Sequence, residues 1–196
     1  MKAPEKGRVL GSRCLYDGSV VRLEVDQVEF GGRATVREVV RHPGGVVLLG
    51  IRDDGLIPFV RQLRYPMQEE LLELPAGKLD PGEDPQEAAA REMEEETGYR
   101  PVRLKHVFSF YATPGFCDEL LHLFYSPQLI KTACNPELDE YLEVEYYTPD
   151  QALQMALSGK IRDAKTLTAI LWKTVQDRDW PMEPAPGGES AGSPSV

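Results

Sequence analysis

Apolar and polar positions alternate near the start of the chain. Val21, Leu23 and Val25 are interleaved with Arg22, Glu24 and Asp26, the period-two pattern of a strand with one buried face. Asp17-Gly18 just ahead reads as a hairpin turn, and Gly31-Gly32 as a second turn leading into a strand over residues 34–41. Residues 1–42 therefore predict a small antiparallel sheet, closed by His42-Pro43-Gly44-Gly45. Apolar runs over 46–51 and 56–63 flank Asp53-Asp54-Gly55, the signature of another hairpin. A short strand over 71–74 is stopped by Pro75, and 76–83 is punctuated by Gly and Pro as a loop. Strand-like runs return at 104–111, 120–125 and 141–147, and helical patterns at 150–157 and 163–175.

One helix carries its own start and stop signals. Asp84 stands at an N-cap, Pro85 at the first helical position, Glu87 three residues past the cap, and Gly98 at the C-terminal stop, which predicts a helix over Pro85–Thr97. Many strands with few helices and no internal repeat point to an α+β layered fold rather than a doubly wound parallel sheet. We expect three parts: the N-terminal sheet (1–42), a main domain (43–181), and a disordered tail (182–196) rich in Pro, Gly, Ser and Ala.

Composition narrows the function. The 196 residues can bury a real core, and 41% hydrophobic with 28% charged residues is ordinary for a folded soluble domain. Lys and Arg number 22 against 32 Asp and Glu, giving a formal charge of -10 that repels a nucleic-acid backbone. A small anionic substrate stays accessible if divalent cations neutralise both sides. Cys14, Cys117 and Cys134 lack the close spacing of a zinc or redox motif and read as reduced thiols. With no signal-like start and no apolar run near the ~18 residues that span a bilayer, the expectation is a cytoplasmic protein without a membrane partner.

Glu92, Glu95 and Glu96 fall at i, i+3 and i+4 of the predicted helix, so three carboxylates converge on one face within about a turn. Their mutual repulsion is relieved by a hard cation with oxygen ligands, Mg²⁺ or Mn²⁺. On its own such a run is more often a solvated helix face.

The loop ahead changes that balance. Gly77, five residues, Glu83, seven residues, then Arg91-Glu92-Met93-Glu94-Glu95-Glu96-Thr97-Gly98-Tyr99 resembles the box of the Nudix hydrolase family, G-x5-E-x7-R-E-U-x-E-E-x-G-U, at every fixed position. Tyr99 at the final place, where an aliphatic residue is usual, is a mild departure. The resemblance implies the Nudix fold, an α/β/α sandwich with a mixed sheet, here with the small N-terminal antiparallel sheet added. It implies that Glu92 and Glu96 ligate Mg²⁺, that Glu95 shares that work or positions water, and that the carbonyl of Ala76 completes the shell. Arg91 would orient these carboxylates through paired charges, with Glu83 in the supporting network.

Three further stretches resemble the ADP-ribose pyrophosphatase subfamily: Gln62-Leu63-Arg64-Tyr65-Pro66 followed by Glu73-Leu74-Pro75-Ala76-Gly77-Lys78-Leu79-Asp80, Thr113-Pro114-Gly115-Phe116 with Asp118-Glu119, and the run from Gly159 to Thr166. Pro114 lies fifteen residues beyond Tyr99, a spacing that in the family accompanies ADP-ribose; read alone, Pro-Gly is a plain turn. By the same resemblance Arg64 holds a substrate phosphate, Glu38 and Glu119 contact adenine or ribose with Thr113, Pro114 and Gly115 nearby, and Glu140 is the loop glutamate that serves as base. The family likeness also implies a homodimer, the N-terminal sheet of each subunit packing across its partner. The expected reaction is Mg²⁺-dependent cleavage of ADP-ribose to AMP and ribose 5-phosphate. The rivals are a pyrophosphatase for GDP-mannose or UDP-glucose, and a module that senses ADP-ribose without cutting it.

Overall fold

The computed structural model describes residues 7–132 and 142–178. The chain opens with β1 (Arg8–Asp17), β2 (Arg22–Phe30) and β3 (Arg33–Arg41), an antiparallel meander in the order β1-β2-β3. The strand predicted for this region forms, but its burial departs from the predicted phase: Leu23, Glu24 and Val25 are all half-buried, whereas Asp26, expected on the polar face, is buried together with Val28, and Gln27 between them is exposed. The hairpin turn expected at Asp17-Gly18 is present, with the Gly18 amide donating to the Val21 carbonyl at 3.0 Å.

The main body is built on β4 (Gly45–Arg52), β5 (Ile57–Arg64), β6 (Glu69–Glu73) and β7 (Ala76–Lys78), followed by α1 (Pro85–Thr97). Then come β8 (Tyr99–Pro101), β9 (Lys105–Tyr111), β10 (Leu120–Lys131), β11 (Leu142–Tyr147), α2 (Pro149–Leu157) and α3 (Ala164–Asp177). One mixed sheet runs β7-β4-β10, with β9 and then β8 along the far edge of β10, and β4 and β10 are parallel. A second sheet has the order β11-β5-β6.

The hairpin expected between β4 and β5 is replaced by a corner. The turn itself forms, with Arg52 donating to the Leu56 carbonyl at 2.9 Å, but the two strands then diverge into different sheets. The reason lies in the edges of β4. One pairs with β10 from Gly45 to Arg52, and the other is taken by β7 and by the Pro75 carbonyl, which accepts from Leu48 at 3.0 Å. The loop expected over 76–83 therefore begins as a three-residue strand.

Both faces of β4 are buried, which is why it reads as an unbroken apolar run rather than an alternating one. Val46 and Leu48 pack with Ala88, Ala89 and Met93 of α1 and with Phe124 and Leu129 of β10. Val47 and Leu49 face the other way, into a cluster with Phe59, Leu74 and Leu123 that is roofed by Leu153 and Met155 of α2 and Ala169 and Ile170 of α3. The result is a helix-sheet-helix layering with α1 on one side and α2 and α3 on the other.

Helix α1 ends where the sequence places its signals. The Asp84 carboxylate accepts from the amides of Gln86 (2.8 Å) and Glu87 (3.3 Å), and Gly98 terminates the helix at φ 71°, a left-handed conformation that a Cβ disfavours. Helix α2 starts one residue ahead of expectation, capped reciprocally by Thr148 and Gln151. Among the described residues no helix is long and apolar enough to cross a membrane.

Met93 is fully buried between α1 and the sheet. Met93→Ala should lower unfolding stability by about 3 kcal/mol through lost burial and a residual cavity, whereas Leu63→Ala on the exposed end of β5 should cost less than about 0.5 kcal/mol. Equal urea midpoints for the two variants would show that α1 is not packed as described.

Candidate active site

The acidic face of α1 is organised by one guanidinium. Arg91 grips Glu83 with two parallel hydrogen bonds, Nε to Oε1 at 2.9 Å and Nη2 to Oε2 at 3.1 Å. Its Nη1 donates to Glu92 Oε1 at 2.8 Å and to Glu95 Oε2 at 2.9 Å. Arg91 thus ties the loop ahead of α1 to two carboxylates on the helix, the arrangement the spacing predicts. Its hydrogen bonds to Glu83 raise its own pKa and hold the Glu83 carboxyl below the ordinary range.

The third carboxylate is fixed from the sheet side. Glu96 is buried, and its Oε2 accepts from the Ala76 amide at 3.2 Å. Gly77 next to it has no room for a side chain, since a Cβ there would stand 2.0 Å from Glu92 Oε1. The glycine lets the β7 backbone press against the acidic helix face. Among the described residues no group of acidic side chains is already set in a coordination shell, because Glu92 and Glu95 are turned toward Arg91. Rotation of those side chains would still present oxygen donors alone, from three carboxylates and the adjoining main chain. That donor set, in the cradle that Gly77 leaves, fits a hard divalent cation.

A cavity of about 380 Å³ opens on this face, lined by Glu92, Glu95, Glu96, Arg91, Gly77 and Arg64, among others. Val20, from the turn between β1 and β2, also reaches it. A smaller cavity of about 180 Å³ shares Arg64, Ala76, Gly77 and Lys78 with the first and adds His42, Glu119 and Lys165. Acidic and basic chambers therefore adjoin across the β7 backbone.

Arg64 is held by Glu73, Nε to Oε1 and Nη2 to Oε2, both at 2.7 Å. Lys165 bonds the same carboxylate from the other side. Burial would push the Glu73 carboxyl up, but the hydrogen bonds from Arg64 and the charge of Lys165 outweigh it and hold the group below its ordinary value. Glu73 and Lys165 both fall within stretches that resemble the ADP-ribose pyrophosphatase subfamily, but the resemblance gives neither a role. A lone acid in the apolar run Leu71-Leu72-Glu73-Leu74 is the available signal, since such a charge demands a partner.

The remaining expected residues are dispersed. Glu119 lines the smaller cavity, its Oε1 3.7 Å from His42 Nδ1. Glu38 is exposed on β3, opposite Val25. Thr113, Pro114 and Gly115 form a turn that packs against β3, where the Val40 amide donates to the Phe116 carbonyl at 2.8 Å, and they line neither cavity. Glu140 lies outside the described residues.

The NUDIX domain profile matches residues 41–170, which supply every lining residue named for the two cavities except Val20. The chain belongs to the NUDIX family. It is similar to an ADP-ribose pyrophosphatase of Bacillus subtilis, 39% identical over 90% of this chain and 97% of that one. It is also similar to a methanol dehydrogenase activator of Bacillus methanolicus, 40% identical over 83% of this chain and 90% of the relative. A crystal structure of an ADP compounds hydrolase superposes with a TM-score of 0.78 at 18% identity, covering 91% of this chain and 99% of that one, which shows the shared fold.

The grip of Arg91 on Glu83 has a pH signature. Because the folded pKa of Glu83 lies below its ordinary value of 4.5, the stabilisation is fully present above that value and is lost as pH falls through the folded pKa. Thermal melts of the wild type and Glu83→Gln should differ most near neutrality and converge as the pH falls below 4.5. A constant gap across that range would remove the ion pair as its source.

Proposed function

We propose that this Nudix hydrolase cleaves the pyrophosphate of ADP-ribose to AMP and ribose 5-phosphate, with Mg²⁺ as the working cation and Mn²⁺ as a substitute. The observation that carries the reading is the junction of the two chambers: an acidic helix face suited to a hard cation, directly beside Arg64, which is shaped to receive a phosphate. The name of the B. subtilis relative, similar over nearly its whole length, favours ADP-ribose among nucleoside-diphosphate sugars.

In this reading Glu92 and Glu96, with Glu95 and the Ala76 carbonyl, hold the cation. Bound there, it supplies charge neutralisation on the diphosphate oxygens and a more acidic water. Arg64 binds a phosphate oxygen with its planar fork and orients the diphosphate. Arg91 keeps Glu92 and Glu95 from splaying apart and so holds their oxygens over the cavity. Glu95 receives or directs the proton of the attacking water, and Glu140 is the second candidate for that base. One P–O bond forms to the water oxygen as the bridging P–O bond breaks, and the departing phosphate leaves with its sugar. Glu119 and Glu38, together with Thr113, Pro114 and Gly115, are assigned to the nucleoside end.

Glu38 and the turn at Pro114 stand away from the cavities of a single chain, which makes a second copy part of this proposal. The N-terminal sheet leaves Val9, Leu15, Tyr16 and Val36 exposed, an apolar surface suited to a homodimer. The thiols of Cys14 and Cys117 are unpaired, in keeping with a reducing cytoplasm.

Glu92→Gln and Glu96→Gln should each reduce kcat by about two orders of magnitude or more without loss of fold by circular dichroism; near-normal rates in both at saturating Mg²⁺ would overturn the metal assignment. In a panel of ADP-ribose, GDP-mannose, UDP-glucose and NADH, ADP-ribose should be consumed fastest, with AMP and ribose 5-phosphate resolved chromatographically. Preference for GDP-mannose would change the nucleoside and leave the cleft chemistry standing. Light scattering should report twice the chain mass, and a fully active monomer would defeat the shared site.

A further inference from the structure

The run from Gly159 to Thr166 and the apolar strand end at Glu73 have no part in the chemistry derived above, yet the structure locks them together. The Leu74 amide donates to Thr166 Oγ1 at 2.9 Å, inside the core. One residue earlier on both segments, Lys165 meets Glu73. The start of α3 is set by Asp163, whose Oδ2 accepts from the Thr166 amide at 2.9 Å while its Oδ1 accepts from Lys165 Nζ at the same distance. Lys165 is thus aimed by two carboxylates, and Arg64 by one of the same two.

Burying such a cluster is a poor route to stability, because well-packed apolar side chains of similar volume do as well or better. Its product is geometry. The Glu73 side chain is 1% exposed, whereas those of Lys165 and Arg64 are 13% and 35% exposed. Arg64 and Lys165 line the smaller cavity, while Glu73 and Asp163 do not. Two positive and two negative groups balance overall, but the positive ones are turned to the cavity and the negative ones lie behind them. The bidentate grip on the Nε and Nη2 edge of Arg64 leaves its Nη1 on the opposite edge of the guanidinium plane.

We propose that Glu73 is a positioning residue that sets Arg64 and Lys165 as a paired anion clamp at the junction of the two cavities, and that Lys165 is a second phosphate-binding residue beside Arg64. This rests on the pyrophosphatase reading and adds to it a contact from α3. Lys165 is a compact point charge and Arg64 a planar fork, so together they address two oxygens of a diphosphate from different directions. The depressed pKa of Glu73 keeps the clamp assembled through neutral and mildly acidic pH.

The test is steady-state hydrolysis of ADP-ribose by full-length wild type, Glu73→Gln, Glu73→Asp, Lys165→Met and the Glu73→Gln/Lys165→Met double variant, with melting temperature and Mn²⁺ affinity by electron paramagnetic resonance measured on each. Lys165→Met should raise KM about tenfold, with kcat within about threefold, as expected for lost charge-assisted phosphate contacts. Glu73→Gln should show the same split, Glu73→Asp should recover part of it, and the double variant should be less than multiplicative because both residues act on one clamp. Mn²⁺ affinity should be unchanged throughout, whereas general loosening of the cleft would lower it. A folded Lys165→Met variant with wild-type KM overturns the proposal even if Glu73→Gln does not fold. A wild type that fails to hydrolyse ADP-ribose at all overturns instead the functional reading beneath it.

Discussion

Three carboxylates within one helical turn repel one another, and the structure answers that repulsion with Arg91. A single guanidinium engages Glu83, Glu92 and Glu95 at once, so the loop ahead of α1 cannot drift from the helix without leaving like charges uncompensated. Everything else about the cleft is arranged to keep α1 at a fixed height over the β7 backbone. The layer of Ala88, Ala89 and Met93 beneath it is fully buried against β4 and β10, and Gly77 removes a side chain that would collide with Glu92.

A second ion cluster, around Glu73, performs an analogous task with the signs reversed. In the first, a cation gathers anions toward a cavity; in the second, a buried anion gathers cations toward the adjoining one. The two meet across Ala76 and Gly77, which line both chambers. A ligand that carries a cation at one end of a diphosphate and bare phosphate oxygens at the other matches this polarity, and an uncharged sugar does not.

Much of this was legible from local signals. The Asp84 cap, Pro85 and Gly98 fix α1 because each acts within a few residues, and the spacing from Gly77 to Tyr99 placed the acidic face before any tertiary contact was known. Sequence missed what depends on partners far along the chain. The turn at Asp53-Asp54-Gly55 is real, but whether its strands pair is decided by β7 and β10, which compete for the edges of β4. The short strands β7 and β8 carry no periodicity of their own, and the link from Glu73 to Lys165 joins residues 92 apart. Glu38 and the turn at Pro114 were singled out by resemblance, and within one chain they lie away from the cavities.

The corner at Asp53 also bears on how the molecule comes into being. Strand β4 is the middle of its sheet, yet its parallel neighbour is β10, so Gly45 must wait for Leu121. A growing polypeptide that has already emerged through α1 has no lasting cover for Val47 and Leu49, whose partners on β10, α2 and α3 come later, and no finished floor beneath the acidic helix. Assembly of the cradle is thereby tied to long-range chain closure, the slow kind of step, and a product cut short before β10 would be a ready client for chaperones rather than a smaller catalyst.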